Sequence, residues 1–292
     1  MAAENAGAHA PTAGEYIQHH LQHLQMNFSF EGVKQTSIVD FSLFNLDSVF
    51  YSIVLGVIGC FFLWAGARKA TSGVPGRFQA AVEILSEMVE NQAKGVIHNA
   101  QSRKLISPLA LTVFVWIFLM NFMDMIPVDL IPHAWHTAGP ALGFSDYMRV
   151  VATADLSTTL GLSCSVLVIC LFYNIKIKGL GGWAHELIAA PFGNHWALWP
   201  VNFLMQMIEY LAKTVSHGMR LFGNMFAGEL VFMLIALMGG GWALSATGVG
   251  LAIGHVIAGT VWTLFHIMVI TLQAFIFMML TLIYTGQAHD AH

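Results

Sequence analysis

Residues 49–67 read VFYSIVLGVIGCFFLWAGA, nineteen consecutive residues without an Asp, Glu, Lys or Arg. The run ends at Arg68 and Lys69. A helix needs about 20 mainly apolar residues to cross the hydrocarbon core of a bilayer. The sequence therefore predicts a membrane-spanning helix over these residues.

The composition of the whole chain points the same way. Of its 292 residues, 57% are hydrophobic and 10% are charged, and the mean hydropathy is +0.67. In a soluble domain, about a quarter of the residues are charged, so an integral membrane protein is predicted. The net charge of −4 and the lack of a basic cluster argue against nucleic acid as a partner. The three cysteines, Cys60, Cys164 and Cys170, lie in apolar runs and are expected to be small buried residues.

The N-terminal region lacks the basic and apolar parts of a secretion signal, so no cleavage is expected. Residues 14–28 have helical periodicity and predict a short interfacial or docking helix. One face of it is apolar and the other is rich in histidine: Ile17, Leu21, Leu24 and Phe28 against His19, His20 and His23. The His-x-x-His spacing is compatible with a metal, but no further ligands are near, so a solvated polar face is favoured.

Further apolar stretches predict five membrane passes and an all-α polytopic fold. Three crossings are expected at 49–67, 105–126 and 156–175, followed by a hairpin of 201–238 and the uncharged chain after a glycine-rich break at 239–250. Residues 71–104 contain a turn and a helical pattern beside Glu83, Glu87 and Glu90, which predicts an amphipathic helix on the membrane surface.

The basic residues indicate the orientation, because Lys and Arg in short loops stay on the cytoplasmic side. Six of the twelve lie between residues 68 and 104, and two more are Lys176 and Lys178. The first 47 residues contain one Lys and five acids. We therefore expect residues 1–47 to form a periplasmic segment, residues 48–292 to form the membrane domain, and the C-terminus to be cytoplasmic.

Arg220 lies within the predicted helix 201–238. A charge at the bilayer centre costs at least about 2.5–3.5 kcal/mol, and arginine cannot lose its proton. A functional role is therefore favoured over an arginine that extends to the membrane surface or pairs locally. The positions three and four residues away are Ser216, His217, Gly223 and Asn224, and Ala227 lies one turn further. Arg220 is therefore expected to stand on a stripe of mostly small residues, which lets another helix approach closely.

Glu229 follows Arg220 by nine residues, about 13.5 Å along the helix and on the opposite face. The two are not expected to pair, so a carboxylate from another subunit is the favoured partner of Arg220. Glu209 and Lys213 are four residues apart and predict a structural ion pair near the cytoplasmic end.

Other polar residues suggest a path for protons. His255, His266 and Gln273 share one face of the last helix, which indicates either a water-lined path or satisfied core residues. The outer edge of the membrane carries a surplus of acid that either collects protons or is merely solvated: Asp47, Asp124, Asp129, Asp146 and Asp155.

Catalytic motifs are not found. His185 and Glu186 begin a His-Glu-x-x-His pattern, but residue 189 is alanine. The sequence has no phosphate-binding loop of the G-x-x-x-x-G-K-[ST] type. We expect no cofactor, no metal and no enzyme active site on this chain. A proton-coupled secondary transporter or a membrane protease remain the alternatives, although no inverted repeat is visible.

Four runs closely resemble subunit a of bacterial F-type ATP synthases: ARKATSGVPGRFQ (67–79), VWIFLMNFMDMIPVDLIP (115–132), MRLFGNMFAGELVF (219–232) and TLQAFIFMMLTLIY (271–284). The likeness covers nearly all of residues 47–284, and the arginine-centred run is highly specific. It implies a non-catalytic, proton-conducting stator in the bacterial inner membrane, with two long tilted final helices beside a rotor ring.

The resemblance also assigns roles to residues. It implies that Arg220 faces the carboxylate of each rotor c subunit, and that the b subunits of a peripheral stalk, lipid and, indirectly, the F1 head are partners. It places Asn224, Glu229, His266 and Gln273 on the outer proton path, and Asn121, Asp124, Asp129 and Asp47 along or near its mouth. Thr153 and Ser157 stand where the family often has Ser and Asn.

Two features depart from the family pattern. His217 occupies a position that is usually aliphatic or small, and we expect it to affect local hydration or the response to pH. The link at 239–250 is longer than is usual, so the helix boundaries there are less well defined by sequence.

Overall fold

The computed structural model describes residues 13–27, 32, 40, 42–71, 73–127, 130–139, 148–189, 192–193, 195–240 and 245–287. Eight α-helices occur in these ranges: α1 (Ala13–His20), α2 (Leu46–Arg68), α3 (Arg77–Val96), α4 (Ala100–Phe122), α5 (Leu130–Ala138), α6 (Leu156–Ala189), α7 (Trp199–Gly240) and α8 (Ala246–Gly286). Three 3-10 turns, Met123–Met125, Ala152–Ala154 and Trp196–Leu198, precede or follow them. Two short strands, β1 (Gln25–Asn27) and β2 (Leu43–Asn45), pair antiparallel.

Five of these helices, α2, α4, α6, α7 and α8, are long and apolar enough to cross a membrane. The prediction of an all-α polytopic membrane protein with five spans is confirmed. Helix α2 has 23 residues and a length of about 35 Å, which exceeds the roughly 30 Å of a hydrocarbon core. The final pair, α7 and α8, has 42 and 41 residues and forms the predicted long hairpin.

Two spans begin earlier than the apolar pattern indicates, because polar residues form their first turns. Helix α2 starts at Leu46, and the Asp47 carboxylate accepts a hydrogen bond from the Ser48 backbone N–H at 2.8 Å. Helix α4 starts at Ala100, after Asn99 caps it by accepting from the Gln101 N–H at 2.9 Å.

Helix α6 consists of two helical parts joined at a bend. Gly179 has a φ of 73°, a left-handed conformation that glycine adopts without steric cost. The predicted crossing therefore ends near Lys176 and Lys178, as the basic residues indicate. Beyond the bend, Lys178 Nζ binds both carboxylate oxygens of Glu186 at 2.8 Å and holds the second part against the first.

Helix α3 is amphipathic, as predicted. Val82, Val89 and Ala93 are buried, whereas Glu83 and Glu87 are exposed. The helix packs against α2, α4 and α8. At Gly286 of α8, a Cβ atom would lie 2.6 Å from Val96 Cγ1, so only glycine permits this close approach.

The main core lies where α4, α7 and α8 meet. Fully buried side chains from all three helices fill it, including Met120, Met225 and Met278. The expectation for the cysteines is wrong in two cases: Cys60 and Cys164 are exposed, and only Cys170 is buried. An apolar residue in a membrane helix does not need to face the protein core, because lipid is also apolar.

The N-terminal segment differs from the prediction of a helix over 14–28. Helix α1 ends at His20, and residues 25–27 form strand β1 beside β2 instead. Leu24 and Met26 are buried in this arrangement. Three pairs of residues across the two strands provide contacts that the helical periodicity of the sequence does not reveal. Phe28 lies outside the described residues.

Candidate functional site

Arg220 lies on the exposed side of α7. Ser216, Gly223 and Ala227 are exposed on the same side. A Cβ atom at Gly223 would meet nothing within 4 Å, so this surface is open in the isolated chain. In the described part of the chain, no ion pair involves the Arg220 guanidinium. Its backbone carbonyl accepts a hydrogen bond from Asn224 Nδ2 at 2.9 Å, so the Asn224 amide is directed back to its own helix.

The stripe around Arg220 is narrower than predicted, because His217 does not belong to it. The His217 side chain is 3% exposed, and its ring centroid lies 3.8 Å from that of Phe277 on α8. Neighbouring Gly218 faces α6, where a Cβ atom would lie 2.9 Å from Leu160 Cδ2. Residues 217 and 218 therefore pack α7 against α8 and α6. The small residues that remain exposed lie around Arg220.

Glu229 is buried on the opposite face of α7 and pairs with Arg149. Arg149 Nε donates to Glu229 Oε1 at 3.2 Å, and Arg149 Nη2 donates to Glu229 Oε2. The two side chains are 5% and 8% exposed. As predicted, Arg220 and Glu229 do not share a face of α7, because Arg220 is exposed and Glu229 is buried. A buried ion pair of this bidentate kind holds both charges in place.

Sequence reasoning missed Arg149 as a site residue. The available signal was Glu229 itself, because a buried carboxylate without a cation on its own helix requires one from elsewhere. Arg149 is the first basic residue after the acidic loop and lies seven positions before α6. Its distance of 80 residues from Glu229 in the sequence explains why no local pattern connects the two.

Arg149 is also held by the N-terminal segment. Its Nη1 lies 2.9 Å from His23 Nε2, and its backbone N–H donates to Asp47 Oδ2 at 3.2 Å. Asp47 is fully buried, and its Oδ2 also accepts from the Leu24 N–H at 3.0 Å. Asp47, expected on the proton path, thus organises three backbone amides, those of Leu24, Ser48 and Arg149.

The favoured prediction of a solvated histidine face is therefore wrong for two of the three histidines. His20 is buried, and its Nδ1 lies 2.9 Å from the Tyr16 carbonyl oxygen. His23 contacts Arg149, while His19 is exposed. In the described residues, no three His, Cys, Asp or Glu side chains are placed to hold a metal ion.

Asp124 and His266 form a second buried contact. His266 Nε2 lies 2.6 Å from Asp124 Oδ2, and both side chains are almost completely buried. The His266 ring lies directly against Gly228 of α7, where a Cβ atom would be 2.2 Å from His266 Cε1. The glycine beside Glu229 therefore makes room for the histidine of α8.

Three other residues predicted for the proton path are also buried. Asn121, Thr153 and Gln273 are all buried. Among the described residues, neither amide atom of Asn121 nor the hydroxyl of Thr153 has a hydrogen-bond partner. Buried polar groups without a partner are uncommon in proteins. Asp129 and Asp146 lie outside the described residues.

Asp155 caps the start of α6. It accepts hydrogen bonds from Asn45 Nδ2 at 2.8 Å, from the Ser157 N–H at 3.0 Å and from Ser157 Oγ at 2.8 Å. Burial raises the pKa of Asp155, but these hydrogen bonds lower it, and the net pKa is below its usual range. The carboxylate is thus held ionised next to the helix N-terminus.

His255 has a packing contact in the hairpin. Its Nδ1 lies 2.7 Å from the Ile235 carbonyl oxygen on α7, and a Cβ atom at Gly239 would lie 3.0 Å from the same nitrogen. The structural pair is confirmed: Lys213 Nζ lies 2.6 Å from Glu209 Oε1. Lys213 also donates to Gln287 Oε1 at 3.0 Å, which ties α7 to the end of α8.

Residues 49–286 match a family model described as ATP synthase A chain. The chain belongs to this family. It is 68% identical to ATP synthase subunit a of Paracidovorax citrulli, with all of both chains covered. It is 68% identical to that of an Acidovorax species, over 98% of this chain and 99% of the relative. A more distant relative from Shewanella piezotolerans is 46% identical over 98% of this chain and 99% of its own.

The resemblance inferred from the four sequence runs is therefore confirmed. The chain is a stator subunit of an F-type ATP synthase, a membrane complex that couples proton transport to ATP synthesis. It is a multi-pass membrane protein that works with other subunits.

Proposed function

We propose that the chain provides two offset aqueous half-channels and a fixed cation, Arg220, that exchanges protons with a carboxylate on the rotor ring. The observation that carries this proposal is the contrast between two arginines. Arg149 is buried and bound to Glu229, whereas Arg220 is exposed on a long apolar helix and forms no ion pair with the described residues. Its charge is therefore available to another subunit.

The mechanism follows from the cost of charge in lipid. A rotor carboxylate must be neutral while it faces hydrocarbon, because an unpaired buried ion is strongly unfavourable. Opposite Arg220, the nearby positive charge lowers the pKa of a carboxylate by roughly one to three units. The acid then releases its proton to the inner half-channel, passes the arginine and is reprotonated from the outer half-channel. The permanent charge of Arg220 also blocks direct proton flow between the two half-channels.

The outer half-channel includes the polar residues buried near Glu229. Asp124 and His266 form one contact, Arg149 and Glu229 form another, and a small cavity lined in part by Asp124, Val151 and Glu229 lies between them. The unsatisfied groups of Asn121 and Thr153 support a hydrated path. The full proposed set is Glu229, His266, Gln273, Asn224, Asn121, Asp124, Asp129, Asp47, His255, Thr153 and Asp155.

The inner half-channel is supported by a cavity among α6, α7 and α8. It is lined in part by Ser163, Lys213, His217 and Tyr284. His217 is one helical turn from Arg220, and Gln287, which also lines the cavity, is exposed. In the proposal, hydration of this cavity connects the inner aqueous phase to the region of the arginine.

The exposed faces of α7 and α8 suit a rotor ring of c subunits. Helix α8 exposes Val261, Leu264 and Met268, and α7 exposes small residues around Arg220. Small residues permit close approach of another helix. The two helices then lie tilted across the ring.

A groove between α2 and α4 suits a membrane helix from a b subunit of the peripheral stalk. It has a volume of about 580 Å³ and includes Gly56, Gly59, Trp64 and Trp116. The F1 head is contacted only indirectly. Nucleic acid, cofactors and a catalytic site on this chain are not part of the proposal.

The proposed location is the bacterial inner membrane, with lipid around the helices. Residues 1–47 form a periplasmic segment, and residues 48–292 form the membrane domain with a cytoplasmic C-terminus. The positions of the basic residues support this orientation.

Substitution of Arg220 tests the proposal. In the assembled enzyme, Arg220→Ala should abolish proton-driven ATP synthesis, because the rotor carboxylate no longer meets a fixed cation. ATP hydrolysis by the soluble head should persist. Arg68→Ala is a matched control, because Arg68 is an exposed arginine at the end of α2. Normal synthesis in the Arg220 variant would refute the role.

A further inference from the structure

His23 precedes the residues that match the family model, yet it contacts the proposed proton path. It lies between β1 and α1, and its Nε2 is 2.9 Å from Arg149 Nη1. Its side chain is 16% exposed, so it forms the outer boundary of the Arg149–Glu229 pair.

The contact fixes the protonation of the imidazole. A guanidinium nitrogen is always a donor, so His23 Nε2 must accept the hydrogen bond and carry no proton. A neutral imidazole then has its proton on Nδ1, which lies 3.5 Å from Asp47 Oδ2. His23 therefore acts as an acceptor toward Arg149 while its other nitrogen is near a carboxylate.

The contacts of Asp47 explain how His23 is held in place. Asp47 Oδ2 accepts from the backbone N–H of Leu24, which follows His23, and from that of Arg149. A single buried carboxylate oxygen thus joins the N-terminal segment to the start of the region that carries Arg149. The side-chain contact and the backbone contacts place the same two segments together.

We propose that His23 is a positioning residue for the proton path: its neutral imidazole holds the Arg149 guanidinium in the orientation that binds Glu229. The inference rests on the proposed function of the outer half-channel. It gives the N-terminal segment a role in proton entry, since Nε and Nη2 of Arg149 bind Glu229 while Nη1 binds His23.

The test compares three substitutions in assembled ATP synthase reconstituted into liposomes, with synthesis driven by an imposed proton gradient. His23→Phe removes the acceptor, and the synthesis rate should fall about tenfold, the factor that one hydrogen bond to a charged group supplies. His23→Gln keeps a neutral acceptor and should restore most of the rate. Gln22→Phe changes the exposed side chain next to His23 and should have no effect.

A second measurement separates positioning from a general structural role. In a Glu229→Gln background, Arg149 has lost its carboxylate partner, so His23→Phe should reduce the rate little further. The amount of the subunit in the purified complex is measured for every variant.

Equal losses for His23→Phe and His23→Gln, or additive losses with Glu229→Gln, would overturn the inference. Normal synthesis in His23→Phe would do the same. None of these results alters the expectation for Arg220→Ala, whose normal activity would instead refute the proposed function.

Discussion

At the scale of single residues, the two membrane arginines have different environments. Arg149 is neutralised by Glu229, and Arg220 is left for a partner outside the described residues. The sequence identified Arg220 because a lone charge in an apolar helix is conspicuous. It did not identify Arg149, because that residue lies at the edge of a loop where charge is ordinary.

Removing one member of the buried pair should lower the stability of the complex more than removing both members. Arg149→Met leaves the Glu229 carboxylate without its cation, at a cost of about 3–5 kcal/mol. The double variant Arg149→Met, Glu229→Leu removes both charges and should be more stable than Arg149→Met alone. Thermal denaturation of the purified complex measures the difference. A double variant that is less stable than the single one would contradict this view of the pair.

Gly228 provides a second test at this scale. A methyl group in Gly228→Ala would meet the His266 ring at 2.2 Å, so the ring must move away from Asp124. We expect reduced proton flux through the reconstituted enzyme. Gly161→Ala on α6 is the control, because a Cβ atom there meets nothing within 4 Å. Unchanged flux in Gly228→Ala would remove the Asp124–His266 contact from the path.

Two substitutions of His217 distinguish a role in packing from a role in proton transfer. His217→Leu should alter the dependence of ATP-driven proton pumping on the inner pH, because the imidazole lines the cavity proposed as part of the inner half-channel. His217→Phe keeps an aromatic ring against Phe277 and tests packing alone. An unaltered pH profile in both variants would mean that His217 only packs against α8.

At the scale of elements, apolar length predicted the spans well, and their ends less well. Asp47 and Asn99 accept hydrogen bonds from backbone N–H groups at the N-terminal ends of α2 and α4, and both helices therefore extend beyond the apolar runs. The N-terminal helix was predicted too long, because strand β1 is stabilised by a partner strand whose paired residues lie 16–20 positions away in the sequence. Long-range pairing of this kind leaves little local pattern.

The cap of α6 predicts a response to acid. The pKa of Asp155 is lowered in the folded protein, so its ionised form stabilises the fold above the usual value near 4. This contribution is lost as the pH falls through the lowered pKa. Asp155→Asn should therefore be less stable than the parent at neutral pH.

The difference in stability between Asp155→Asn and the parent should become smaller at acid pH. Thermal midpoints of the purified complex at several pH values measure it, with Glu87→Gln as a control at an exposed carboxylate on α3. A stability difference that does not depend on pH would contradict the role of the ionised cap.

At the scale of the whole molecule, the fold class, the five spans and the final hairpin were predictable from the sequence. The candidate site was predictable only in part. Arg220, Glu229, His266 and Asp124 are conspicuous as polar residues in apolar helices. The contacts that combine them, such as His23 with Arg149, join segments 126 residues apart and required the structure.

The arrangement of charge over the molecule supports a contact between Arg220 and another subunit. The other described cations lie outside the apolar runs of the five long helices or, like Lys213, form an ion pair, whereas Arg220 is exposed on the α7 face that the rotor ring is proposed to contact. The proposed contact joins two subunits, so it must be tested in the assembled enzyme.

The most direct measurement is a structure of the assembled complex in a lipid membrane that resolves the surroundings of Arg220. We expect a rotor-ring carboxylate facing the Arg220 guanidinium, with no carboxylate of this chain bound to it. A guanidinium bound within its own chain, or directed into bulk water away from the ring, would rule out the proposed role of Arg220.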